Sequence, residues 1–194
     1  MSKHDHGFIT SITPNDDAQS QGLTWILYHA TNQMDPQTFI AQFEFSGPRG
    51  YATDGDIEQI QTFLLQKSES ARLWNFCGDA IQMSDSDTDR YSLDDARLCY
   101  ETAIDKFPND PEGYESLGFW HDCFGTFDRA KHYFTQAIDR TDSETPRLGL
   151  ARVLAQMGHR DEGLAILATC PDQDSLDLKV LRDEIHSGNW SPRA

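Results

Sequence analysis

The feature that most constrains this chain is a recurrence. Ala96, Tyr100 and Ala103 precede Ala130, Phe134 and Ala137 by 34 residues each. Within each trio the steps of four and three keep the side chains on one helical face. A helix that presents alanine, a large ring and alanine lets a neighbouring backbone approach at the small residues while the ring fills the gap. Units of that kind bury their apolar face by stacking on the next copy, so a repeated helical architecture is expected.

The second copy extends further. Between Pro111 and Arg140 the chain reads Tyr114-x-x-Leu117-Gly118, then Gly125-x-Phe127, then Ala130-x-x-x-Phe134-x-x-Ala137. The order of aromatic, Leu-Gly, Ala, aromatic and Ala resembles the tetratricopeptide repeat (TPR), whose period is about 34 residues. Gly125 is placed to turn one helix back on the other. The first copy opens with Trp74-x-x-Cys77-Gly78-x-x-Ile81, and Pro108 follows Ala103 where the family often ends its second helix; Asp142 stands there in the second copy. The first copy departs from the pattern in two respects: Cys77 stands in place of leucine, and the link between its helices is longer. Gly78 to Ala96 is six residues longer than Gly118 to Ala130, and the extra length falls in Ser84–Ser92. A third copy, without the aromatics, follows 33 residues on at Leu150-Ala151, Gly158, Gly163, Leu167 and Cys170. After Pro171, Leu178, Leu181 and Ile185 form one stripe, with Asp174 or Ser175 to cap the helix and Gly188 to end it. The resemblance implies an all-α fold over residues 70–187: a right-handed, TPR-like superhelical stack of antiparallel helix pairs, about three repeats with a C-terminal capping helix. Residues 188–194 are read as a tail.

Residues 1–69 form a separate, helical or mixed segment expected to pack on the repeats or to form a homodimer contact. Asp35-Pro36 is a helix start, and Phe39, Ile40 and Phe43 share a face. Ser46-Gly47-Pro48-Arg49-Gly50 breaks the chain, and Asp56 can cap a helix carrying Ile57, Ile60, Phe63 and Leu64. Leu23–Ala30 reads as a buried helix, or as a strand pairing with Phe8–Ile12.

Charge narrows the partners. The chain carries 32 acidic and 16 basic residues, for a net charge of −16. That surface repels nucleic acid and anionic membranes and favours a basic or amphipathic protein segment. No apolar run reaches the roughly 18 residues a membrane span needs, and the N-terminus lacks the apolar stretch of a signal peptide, so a cytoplasmic protein is expected. Cys77, Cys99, Cys123 and Cys170 have neither metal-ligand nor redox spacing and are read as buried helical thiols.

No nucleophile elbow, phosphate loop or zinc motif is present, so neither catalysis nor a cofactor is expected. Asp85-x-Asp87-x-Asp89 resembles the start of an EF-hand loop, but Arg90 and Ala96 stand where its turn glycine and bidentate glutamate belong, and a solvated acidic loop is the expected reading. Ser2-Lys3-His4 would make a copper- or nickel-chelating terminus if Met1 were removed; a terminus without metal is expected. His121 is read as packing, and His132 and His159 as surface and turn residues.

The TPR resemblance also implies which residues line a concave groove: Arg72, Asn75, Asp79 and Gln82 in the first repeat, Glu112, Glu115, Phe119 and Asp122 in the second, Leu148, Arg152 and Gln156 in the third. These are not the lysines and asparagines with which co-chaperone TPR domains clamp acidic C-termini. The expected function is a protein–protein interaction module that takes a basic or amphipathic partner segment beside an aromatic at Phe119. A bacterial secretion-type TPR chaperone and a structural subunit of a complex are the alternatives.

Overall fold

A computed structural model describes residues 34–47, 50–84 and 90–188 of the chain. Among them there are nine helices and no strand, with one isolated bridge between Ala52 and Ser84. The expected features at Ser2-Lys3-His4, Phe8–Ile12, Leu23–Ala30 and Asp85, Asp87 and Asp89 lie outside the described residues. The helices belong to one compact unit that begins at Asp35.

Local chemistry sets the first two helices. α1 (Pro36–Gln42) starts where Asp35 accepts the Thr38 amide, with Pro36 at the first helical position. α2 (Asp54–Gln66) starts three residues earlier than its sequence suggests. Thr53 is the N-cap, and Asp56 is the third helical residue, reaching back to the Thr53 amide to close a capping box. Asp56 also accepts the Ser46 amide and hydroxyl, which ties down the segment between α1 and α2. Asp56 is therefore a bracing carboxylate and not the cap. Phe39 of α1 stacks on Phe63 of α2 with centroids 4.0 Å apart.

The remaining helices follow the repeat. α3 (Ala71–Gln82) begins at the Ser70 cap, and α4 (Leu93–Lys106) begins at a second capping box, Ser92 with Asp95. α5 (Glu112–Cys123) and α6 (Phe127–Ile138) are joined by residues 124–126, and α7 (Thr145–Gln156) and α8 (Arg160–Leu167) by residues 157–159. At these two turns Gly125 and Gly158 have φ of 67° and 88°, a left-handed conformation that an L-residue adopts only with strain. Residues 83–92 make the longer connection between α3 and α4. α9 (Leu176–Ser187) takes Ser175, rather than Asp174, as its N-cap and ends at Gly188 with φ 70°.

Neighbours in sequence are neighbours in space. α3 packs on α4, α5 on α6 and α7 on α8; α4 meets α5 and α6 meets α7, while α3 also touches α5 and α5 touches α7. α1 and α2 both lie on α3. The close approaches fall at the repeat's small residues. A Cβ on Gly78 would come within 2.4 Å of the Tyr100 ring, and one on Gly118 within 2.6 Å of the Phe134 ring. Ala96, Ala103, Ala130 and Ala137 are all buried. At the far end, Leu178, Leu181 and Ile185 of α9 close a core with Ala151, Ala155, Leu167 and Cys170. The thiols are less uniform than their sequence context suggests. Cys77 and Cys99 are buried in α3 and α4, Cys123 is exposed at the end of α5, and Cys170 is buried but lies past the end of α8. Cys123 is the last residue of its helix, just before the turn at Gly125.

Candidate functional site

α3 and α5 position the site. Their side chains, with Ile40 from α1, line an open cleft of about 300 Å³. Arg72, Asn75, Phe76 and Asp79 come from α3, and Glu112, Glu115 and Ser116 from α5. Steps of three and four residues along each helix put these groups on one face. Five of the groove residues expected from the sequence (Arg72, Asn75, Asp79, Glu112 and Glu115) therefore share one cleft.

The cleft is electrostatically unbalanced: three carboxylates face one guanidinium. Among the described residues no salt bridge involves Asp79, Glu112, Glu115 or Arg72. Burial raises the Glu115 pKa, and the Glu112 and Asp79 charges add to this, so that the carboxyl is pushed up to about 7. Glu112 is raised first by burial and then by Asp110, while Arg72 and Asn75 act the other way. Asp79 is raised by burial and by Glu112 against the Tyr100 hydroxyl, which donates to its Oδ1 at 2.8 Å. Asp79 and Glu112 are crowded by protein yet keep solvent contact at the mouth of the cleft, so water screens part of both effects.

Asn75 is the unusual member. It is 5% exposed, and its carboxamide oxygen has no hydrogen-bond partner. Its carboxamide nitrogen donates weakly to Glu112, at the limit of hydrogen-bonding geometry, and so favours the ionised carboxylate. Leaving that buried oxygen unmatched costs on the order of 1–3 kcal/mol.

The other expected groove residues are engaged elsewhere. Gln82 accepts the Tyr100 hydroxyl at 3.1 Å. Asp122 is buried and holds Arg152, whose Nε and Nη2 donate at 2.9 and 2.5 Å, and Gln156 donates to its second oxygen at 3.2 Å. These groups link α5 to α7 internally. Phe119 lies beside them, edge-on to Phe134 at 4.9 Å with Arg152 over its ring at 5.5 Å, and it does not line the cleft. Leu148 packs on the terminal core. The aromatic that does line the cleft is Phe76, half-buried with Phe43 and Phe45 at centroid distances of 5.6 and 5.8 Å. Phe76 shares the face of α3 that carries Arg72 and Asp79, and Ile40 becomes a site residue because α1 lies on α3.

His121 is a packing residue. It is buried, stacked on Tyr133 and hydrogen-bonded through Nδ1 to Thr126 Oγ1 at 2.8 Å. Among the described residues no group of three His, Cys, Asp or Glu side chains is arranged to hold a metal ion. No described helix is long and apolar enough to cross a membrane. No protein-family model matches this chain, and no curated protein matches it.

Proposed function

We propose that this chain is a protein–protein interaction module built on TPR-like repeats, which binds a basic or amphipathic segment of a partner in the cleft between α3 and α5. One observation carries the reading: Asp79, Glu112 and Glu115 share a cleft in which, among the described residues, no ion pair neutralises them, although burial and mutual repulsion disfavour their charge. A cationic segment relieves that repulsion, and apolar contact with Ile40 and Phe76 supplies affinity that charge alone does not. The wider surface acts in the same sense, since a net charge of −16 steers cationic partners toward the protein.

Affinity capture with the full chain, followed by titration of the recovered partner, tests this. The expected partner binds at fixed stoichiometry through a Lys- or Arg-bearing segment, and binding weakens as salt rises. Glu112→Gln with Glu115→Gln should reduce affinity while leaving the melting temperature at or above that of the parent. Binding that ignores both salt and this double substitution would place the interaction on another surface.

A further inference from the structure

The proposed interaction leaves open which partner group enters the cleft, and Asn75 narrows the choice. A carboxylate cluster by itself calls only for positive charge. A buried carboxamide oxygen without a partner calls for a donor group, planar or forked, able to reach the cleft wall beside the acids. Among the described residues, Asp79, Glu112 and Glu115 do not converge as metal ligands with one another or with a His or Cys. A bare cation that needs a close oxygen cage is therefore poorly matched.

Resting on that reading of the cleft, we propose that it is a socket for one arginine side chain of the partner segment, with the guanidinium shared between Asp79, Glu115 and the Asn75 carboxamide oxygen. Three properties of the cleft favour guanidinium over ammonium. A guanidinium has five donors in a fixed plane and can serve two carboxylates and an amide oxygen at once, whereas an ammonium is a compact, strongly hydrated point charge. The Phe76 ring and Ile40 line the same space and can cover a flat, weakly hydrated cation and its aliphatic stem. The cleft's volume of about 300 Å³ leaves room for that extended group. Arg72 sits at the rim beside Glu112 and holds that carboxylate toward its ionised form. Glu112 is thereby already engaged by Arg72 and Asn75, which leaves Glu115 within the cleft and Asp79 at its mouth as the seat, the two carboxylates free to hold the guanidinium. Tyr100, donating to Asp79, fixes the orientation of one half of the seat.

The chain's own N-terminal residues are poorly suited to fill the socket. Residues 1–33 contain one lysine, Lys3, and no arginine, against Asp5, Asp16 and Asp17. The occupant argued for is a partner's arginine.

The probe is Nα-acetyl-arginine amide, titrated into the full chain while the side-chain amide resonances of the asparagines are followed by NMR, with Nα-acetyl-lysine amide as the comparison. The expected result is a saturable shift of the Asn75 side-chain amide, with the lysine compound binding several-fold more weakly. Glu115→Gln should weaken the arginine compound by roughly tenfold or more, as loss of a charge-assisted bond does. Asn75→Leu keeps the volume and satisfies no donor, so it should also lose the preference for arginine over lysine. Glu115 is half-exposed, so its substitution keeps the test valid if Asn75→Leu unfolds the chain. Absence of a saturable shift overturns the proposal. So does equal binding of the two compounds, or unchanged binding by Glu115→Gln. If a partner protein is captured through the cleft and lost with the Glu112 and Glu115 substitutions, yet the arginine compound does not bind, the socket is wrong and the interaction module stands.

Discussion

Phe134 lies between two glycines. A Cβ on Gly118 would meet its ring at 2.6 Å and one on Gly149 at 2.5 Å, from helices on either side. The ring is fully buried, so it cannot retreat from one contact without tightening the other. Alanine is the better helix former by roughly 0.5–1 kcal/mol, and in an open helix either substitution would stabilise. Here overpacking should win. Gly118→Ala and Gly149→Ala should each destabilise by about 1–3 kcal/mol in urea titrations, and Phe134→Leu should relieve part of the added cost in a double-mutant cycle. A higher melting temperature for either glycine variant would show that the ring has room. The same packing makes Ala130 intolerant of size. Ala130→Leu, at a site with no exposed surface, should cost about 1–3 kcal/mol.

Helix starts divide into three kinds: full capping boxes, single side-chain caps (Asp35 at α1, Ser70 at α3 and Ser175 at α9) and none. α2 and α4 carry full capping boxes, Thr53 with Asp56 and Ser92 with Asp95, whereas α5, α6, α7 and α8 start without a side-chain cap. The uncapped helices are held mainly by packing on their partners. The capped ones follow irregular connections, where a local signal is needed to set the first turn. Thr53→Ala should therefore cost on the order of 1 kcal/mol, read as a shift in the urea midpoint. Asp56 adds a pH dependence. Burial would raise its pKa, but hydrogen bonds from Thr53 and Ser46 outweigh burial and hold the carboxyl below its ordinary 3.8. An acid with a depressed folded pKa contributes stability that is present above the unfolded value and is lost as pH falls through the folded one. Stability should fall on acidification below 3.8, and Asp56→Asn should flatten that limb. An unchanged acid limb in the variant would assign the loss to other carboxylates.

The molecule as a whole carries more negative charge than its ion pairs absorb. With a net charge of −16, self-repulsion opposes the compact state, so added neutral salt should raise the melting temperature even as it weakens partner binding. Glu115 should leave its own mark on stability. Its folded pKa of about 7 lies above the ordinary 4.5, so between these values the folded chain holds a proton that the unfolded chain has released. Stability from this group is present below 4.5, is lost as pH rises toward 7 and is level above; Glu115→Gln should remove that slope and give a more stable protein at pH 8. Much of the architecture is legible in the sequence, because short-range spacing encodes it. The 34-residue register of Ala96, Tyr100 and Ala103 marks the residues that meet at helix crossings. Gly125, Gly158 and Gly188 mark the turns, and Asp35-Pro36 and Ser175 mark helix starts. Asp56 was legible only as a polar residue near a helix start, since its role depends on Ser46 across a loop. The site was legible in part. Spacing places Arg72, Asn75 and Asp79 on one face of α3, and Glu112 and Glu115 on one face of α5. That these faces meet, that Asp122 is taken up by Arg152 and Gln156, and that Phe76 and Ile40 replace Phe119 beside the acids were decided by tertiary structure alone. Helical faces follow from positions along one chain, whereas ion pairs and cleft walls depend on separations of a few ångströms between residues some 30 positions apart, which only the packed helices set.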